Sequence, residues 1–237
     1  MALKIYYTND MHNRPGALAA LESAADCATS LLLDGGDAIG GSNTAFRLHE
    51  PILERMGRLG YRAMAMGNRE FHYLRWVQWR RKRERPFPLL AANLQDLRAQ
   101  TVPWQASTTV ELQGLKVALV GATPVQFPVG SPWERLTGFR FLDPARCLAP
   151  VLEELRPRCD LLILLSHLGL RVDTELVPKL PGVDLVLGGH SHDFTEQPLR
   201  LGSGWLVHGG SHSRFLGHLQ VDLQPLRVDW HLQGLAA

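Results

Sequence analysis

The sequence predicts an α/β fold, and three observations carry the prediction. Strand-like and helix-like segments alternate through the first third of the chain. A hairpin signal between apolar runs occupies the middle. Two further apolar strands, each running into histidines, and three closing strands complete it.

In chain order, "LKIYYT" reads as a strand, "RPGALAALESAADCA" as a helix opened by a proline, and "LLLD" as a strand. "NTAFRLHEPILERMGRLG" follows as a helix ended by glycine, and "YRAMAM" as a strand. Such a βαβαβ succession forms a parallel sheet with right-handed crossovers, and its functional loops lie beyond the carboxyl ends of the strands. "RWVQWRRKRER", residues 75–85, reads as an amphipathic helix with Trp76 and Trp79 packed inward and its six basic side chains solvated. A sharper reading makes that helix an anion-binding patch.

"PFPLLAANL" reads as a buried strand behind two prolines, and "TTVELQGLKVALVGA" as a hairpin turning at Gln113-Gly114, so a mixed sheet is expected here. "CLAPVLEELR" reads as a helix, "DLLILLSHLG" and "VDLVLGGHSHD" as buried strands. "GWLVHGG", "FLGHLQVDL" and "PLRVDWHL" close the sequence.

The bulk numbers suit one large domain, residues 1–237: 45% of the 237 residues are hydrophobic and 20% charged. A formal charge of +2 sets no whole-protein field toward nucleic acid or membrane. Cys27, Cys147 and Cys159 are too few and too scattered for a disulfide framework or a thiolate zinc site, and are expected as buried free thiols. No signal-peptide pattern and no membrane-spanning apolar run are present, so a cytoplasmic protein is expected.

Chemistry concentrates where strands end. Asp10 and His12, and likewise His190 and His192, are two residues apart, a spacing that puts side chains on one side of an extended segment. Asp37 follows "LLLDGG", Asn68 follows "AMAMG" and His167 follows "LLILLS". Each alone fits a turn, a cap or an ordinary histidine. Seven ligand-type residues at five strand ends are hard to reconcile with coincidence, and an oxygen–nitrogen set without thiolate suits manganese, iron, cobalt or zinc.

The ordered series "NDMH", "GGDAIGG", "GNRE", "LLSH" and "GGHSH" resembles the calcineurin-like metallophosphoesterases over nearly the whole chain. "PLLAANL", "LKVALVGATP" and "VHGGSHSRFLGHLQVDL" bring it nearest the N-terminal metallophosphatase domain of the 5'-nucleotidase branch. The resemblance implies a four-layer α/β/β/α sandwich of two mixed sheets flanked by helices. It also implies two divalent transition-metal ions, manganese foremost, with iron, zinc, cobalt or nickel as alternatives. Asp37 would bridge them, Asp10, His12 and His192 would complete one, and Asn68, His167 and His190 the other. The implied reaction is attack of a metal-bridging hydroxide on a phosphomonoester, phosphodiester or pyrophosphate of a nucleotide or similar small molecule. The branch's C-terminal nucleotide-binding domain is not expected within these residues.

One position departs from the family. Most members read GNHE followed by phenylalanine and aspartate, and that histidine is thought to protonate the leaving group. Here the position is Arg69, which keeps its proton at any working pH. Arginine can instead clamp a phosphate, and the UDP-diacylglucosamine pyrophosphohydrolases, another branch of the superfamily, also carry GNR. His72 and His212 are the replacement candidates for the acid. The alternatives are a non-catalytic metal- or nucleotide-binding module and a nuclease using the basic helix. The sequence sets no oligomeric state.

Overall fold

The structure is a computed structural model that describes residues 2–24, 29–41, 47 and 49–235. Its strands are β1 (Ala2–Thr8), β2 (Ser30–Asp34), β3 (Ala63–Ala65), β4 (Leu89–Leu90), β5 (Leu94–Asp96), β6 (Ser107–Leu112) and β7 (Leu115–Ala122). They continue as β8 (Phe139–Phe141), β9 (Leu161–Ser166), β10 (Leu185–Gly188), β11 (Leu199–Leu201), β12 (Gly204–His208), β13 (Phe215–Leu223) and β14 (Leu226–Gly234). The helices are α1 (Gly16–Ala24), α2 (Pro51–Leu59), α3 (Arg75–Glu84), α4 (Pro132–Thr137), α5 (Pro144–Leu155) and α6 (Leu170–Leu176).

Two six-stranded sheets form, ordered β14-β13-β1-β2-β3-β4 and β11-β12-β10-β9-β7-β6. In the first, β1 to β4 run parallel, β13 lies antiparallel beside β1, and β14 lies antiparallel to β13 at the edge. In the second, β7, β9, β10 and β12 run parallel between antiparallel β6 and β11. Both sheets are therefore mixed, as the resemblance implied. Alternation of side chains then splits the apolar residues into layers. Leu3, Ile5, Leu33, Leu119, Ile163 and Leu187 pack between the sheets. Tyr6, Leu32 and Met64 point outward to Leu18 and Met56 of the first helical layer, and Val120, Leu162 and Val186 to Leu148 and Leu152 of the second. The result is the expected four-layer α/β/β/α sandwich.

Local signals explain most boundaries. Gln113 and Gly114 take φ of 54° and 78°, the paired left-handed conformation of a two-residue hairpin turn. Gly60 closes α2 at φ 86°, and α2 begins at Pro51, whereas the helix read from residue 43 lies partly outside the described residues, as do residues 25–28 of the first predicted helix. "PFPLLAANL" divides into β4 and β5, because β5 leaves the first sheet to pair with β8. The helix α4, not anticipated from the sequence, follows the cap Ser131, whose hydroxyl accepts from the Glu134 amide.

The basic helix departs from expectation. Trp76 is 52% exposed while Arg81 and Arg85 are buried, because their guanidinia satisfy backbone carbonyls in the interior. Arg75 is tied to Asp96 and Arg80 to Glu84, which leaves Lys82 and Arg83 as the exposed remainder of the predicted patch. Cys147 and Cys159 are free and half-buried; Cys27 lies outside the described residues. No helix among the described residues is long and apolar enough to cross a membrane.

Candidate metal centre and active site

The parallel strands of both sheets end at one edge of the sandwich, and the predicted residues gather there. Asp10 and His12 follow β1, Asp37 follows β2, Asn68 follows β3, His167 follows β9, and His190 and His192 follow β10. Cross-sheet hydrogen bonds lock the edge. His167 Nδ1 pairs with the Gly35 carbonyl at 2.7 Å, the His190 amide donates to Asp10 Oδ2 at 2.8 Å, and the His212 amide donates to the Asp10 carbonyl at 2.7 Å.

The i, i+2 pairs do not converge by strand alternation. Asp10, His12, Asp37, His190, His192 and His212 all have positive φ, between 47° and 79°. Left-handed turns, not extended backbone, aim these side chains inward, because β1 and β10 have already ended. Each such non-glycine residue costs about 1–3 kcal/mol, and such strain collects at functional sites. Glycine is required where chain meets chain. A Cβ on Gly67 would collide with Asp37 Oδ1, and one on Gly36, at φ 97°, would lie 2.8 Å from both the Gly67 nitrogen and His167 Nδ1.

Two donor groups result, in each of which one ligating atom per residue lies within 4.8 Å of the others: Asp10, Asp37 and His167, and His12, His192 and His212. His167 Nε2 is 3.5 Å from Asp37 Oδ1 and 3.9 Å from Asp10 Oδ1. His12 Nε2 and His192 Nε2 are 3.0 Å apart and stand 3.8 and 3.5 Å from the same Asp10 oxygen. Two imidazole nitrogens about 2.0–2.1 Å from a shared ion lie roughly 3.0–3.4 Å apart, so this spacing suits joint coordination. His190 touches His167, ring centroids 5.0 Å apart.

The donors also fit a divalent cation by what they lack. Asp10 Oδ1, His167 Nε2 and Asn68 Oδ1 are buried without a hydrogen-bond partner among the described residues. Each such orphan costs about 1–3 kcal/mol, a penalty that coordination would remove. Electrostatics agree. Burial disfavours a charged His167, yet Asp37 and Asp10 overcome it and push this imidazole up to about 10. The acidic pocket thus demands a positive charge. Burial holds His12 down at about 4 against the pull of Asp37 and Asp10, so its nitrogen lone pair is available.

Arg69 occupies the rim. Its amide donates to Asp37 Oδ1 at 2.7 Å, and its guanidinium, 38% exposed with the rest of its side chain, has Nε 3.7 Å from Asp37 Oδ2. His72 is placed elsewhere: its ring is buried, Nδ1 accepts from the Leu74 amide, and neither donor group includes it. His212 is brought into the cluster, 4.7 Å from the His12 ring and 5.1 Å from that of His192.

Two buried carboxylates missed in the sequence support the candidate donors. Glu70 Oε2 accepts from the Asp37 and Gly67 amides at 2.7 and 3.0 Å, and Arg81 donates to the carbonyls of Arg69 and Glu70. Burial and then Asp37 push Glu70 up to about 7. Asp173 pairs with His208 Nε2 at 2.9 Å and accepts from Ser166, the residue before His167. "WLVHGG" gave the same signal as the other histidine-bearing strand ends; Asp173 gave none, lying inside α6, a helix not anticipated from the sequence.

The calcineurin-like phosphoesterase family matches residues 3–194. A 5'-nucleotidase of Vibrio cholerae is 30% identical over 223 residues, 81% of this chain and 40% of that protein. Protein UshA of Yersinia enterocolitica is 32% identical over 179 residues, 69% of this chain and 32% of its own length. The chain therefore spans less than half the length of these relatives. The 5'-nucleotidase precursor from Thermus thermophilus superposes with a TM-score of 0.78 at 23% identity, over 99% of this chain and 55% of that one, a likeness of fold. With the family match covering most of its length, the chain belongs to the calcineurin-like phosphoesterases.

Proposed function

We propose that the protein is a divalent-metal-dependent phosphoric ester hydrolase for nucleotide-like substrates whose leaving group needs little protonation, such as a pyrophosphate or an activated diester. The observation that carries this reading is a guanidinium, rather than an acid, beside Asp37 at the mouth of the two-sheet donor cluster. The nucleotidase names of the relatives support the substrate class.

Asp37, Asp10, His12 and His192 would hold one ion, and Asp37, Asn68, His167 and His190 a second. Bound there, the ions would supply Lewis-acid polarisation of the phosphoryl oxygens and activation of the attacking water. Arg69 would grip two phosphoryl oxygens through paired N–H donors and stabilise the charge that develops on them. It cannot release its proton to the departing oxygen. General acid catalysis typically contributes 10²–10⁴-fold, so alkyl monoesters should be poor substrates and pyrophosphates good ones.

A hydrolysis screen over monoesters, diesters and pyrophosphates in added Mn²⁺ tests this. The wild type should turn over pyrophosphates and bis-p-nitrophenyl phosphate far faster than alkyl monoesters, and Arg69→His should raise the alkyl-monoester rate by about 10²-fold. If neither form hydrolyses any of them while a nucleotide binds, the protein is a binding module.

A further inference from the structure

We propose that His212 is an eighth metal donor, completing with His12 and His192 a three-imidazole face on the ion held by Asp10. This rests on the metal-centre reading above and adds a residue to it. The sequence offered His212 as an acid; the geometry points to ligation.

Three independent features place it there. One nitrogen of His212 lies within 4.8 Å of a nitrogen of His12 and of His192. The three rings are tilted at 48°, 56° and 85° to one another, so they meet edge to edge or edge to face, not in parallel stacks. His212 also shares the left-handed backbone of five of the seven other donors, at φ 59°, and its amide is fixed to the Asp10 carbonyl.

The ring is oriented from behind, as ligating histidines usually are. His212 Nδ1 is 2.9 Å from the Ser211 hydroxyl, which in turn receives Arg214 Nη2 at 3.2 Å. Ser213 donates to the Arg14 carbonyl and ties this loop to the one that follows His12. In the tautomer that donates Nδ1–H to Ser211, Nε2 carries the lone pair for an ion. The consequence is an asymmetric pair. The Asp10-side ion would be rich in imidazole, which suits zinc, cobalt or nickel, while the other keeps the oxygen-richer set that suits manganese. With the lone pair of His212 committed, the cluster keeps no spare imidazole beside Arg69, in accord with a leaving group that departs without a proton.

The test titrates metal-free full-length protein with Co²⁺, followed by calorimetry and visible absorption, for wild type, His212→Phe and His212→Gln. Melting curves without metal establish that each variant is folded, and the glutamine variant decides alone if the phenylalanine one is not. The wild type should take up two equivalents. Both variants should weaken one of them by at least about tenfold and shift its visible bands, leaving the other unchanged. Two equivalents bound with wild-type affinity and spectrum in the variants would overturn the assignment. A wild type that takes up no metal would instead overturn the metal-centre reading, and this inference with it.

Discussion

The two sheets end at the same edge with similar parallel cores, yet they equip the site differently. The first supplies both carboxylates, the amide, one imidazole and the guanidinium; the second supplies imidazoles alone. Their supports differ accordingly. Beneath the first sheet's loops, Glu70 binds the backbone of Asp37 itself, and buried Arg81 closes over the Arg69 and Glu70 carbonyls. Beneath the second, Asp173 holds the Ser166 hydroxyl, one residue before His167, and His208 at the end of β12. Charged donors need their geometry held directly, because a misplaced buried carboxylate is expensive. An imidazole, neutral once it coordinates an ion, tolerates a looser seat.

Truncating the two supporting carboxylates tests that contrast. Glu70→Ala strands the amides of Asp37, Gly67 and Ile39, so it should lower stability by about 3 kcal/mol and metal affinity by roughly 10–100-fold. Denaturant unfolding and metal titration measure both. Asp173→Ala leaves only the Ser166 hydroxyl, which can turn to another acceptor, and His208, so about 2 kcal/mol and less than about tenfold in affinity are expected. Equal losses of affinity in the two variants would remove the asymmetry.

Much of this was legible in the sequence because the signals were local. Repetition of ligand-type residues at successive strand ends singled out Asp10, Asp37, Asn68 and His167 together, and Gln113-Gly114 announced its hairpin. What escaped depends on tertiary contact. The basic run at 75–85 could not reveal that Arg81 and Arg85 turn inward, since hydrophobic periodicity places a guanidinium outside unless carbonyls await it. Nor could the DxH and HxH spacings show that left-handed turns would do the converging. The pairing of Asp173 with His208, 35 residues apart, exists only in the folded chain.

His72 yields the smallest effect and isolates stability from chemistry. Its imidazole is held down at about 4 by burial and then by the Arg81 charge, against an unfolded value near 6.5. The unfolded chain therefore binds the extra proton first. The stabilisation is whole above about pH 6.5 and is lost as pH falls toward 4. In metal-free protein, His72→Gln can still accept from the Leu74 amide, so its melting temperature should fall less steeply than the wild type's between pH 6.5 and 4. If His72 were the missing acid, the same variant would lose about 10²-fold in kcat on alkyl monoesters at neutral pH. A change under about twofold, together with the flatter acid slope, assigns His72 to the interior, because no removal of a working general acid leaves the rate that close to the wild type's.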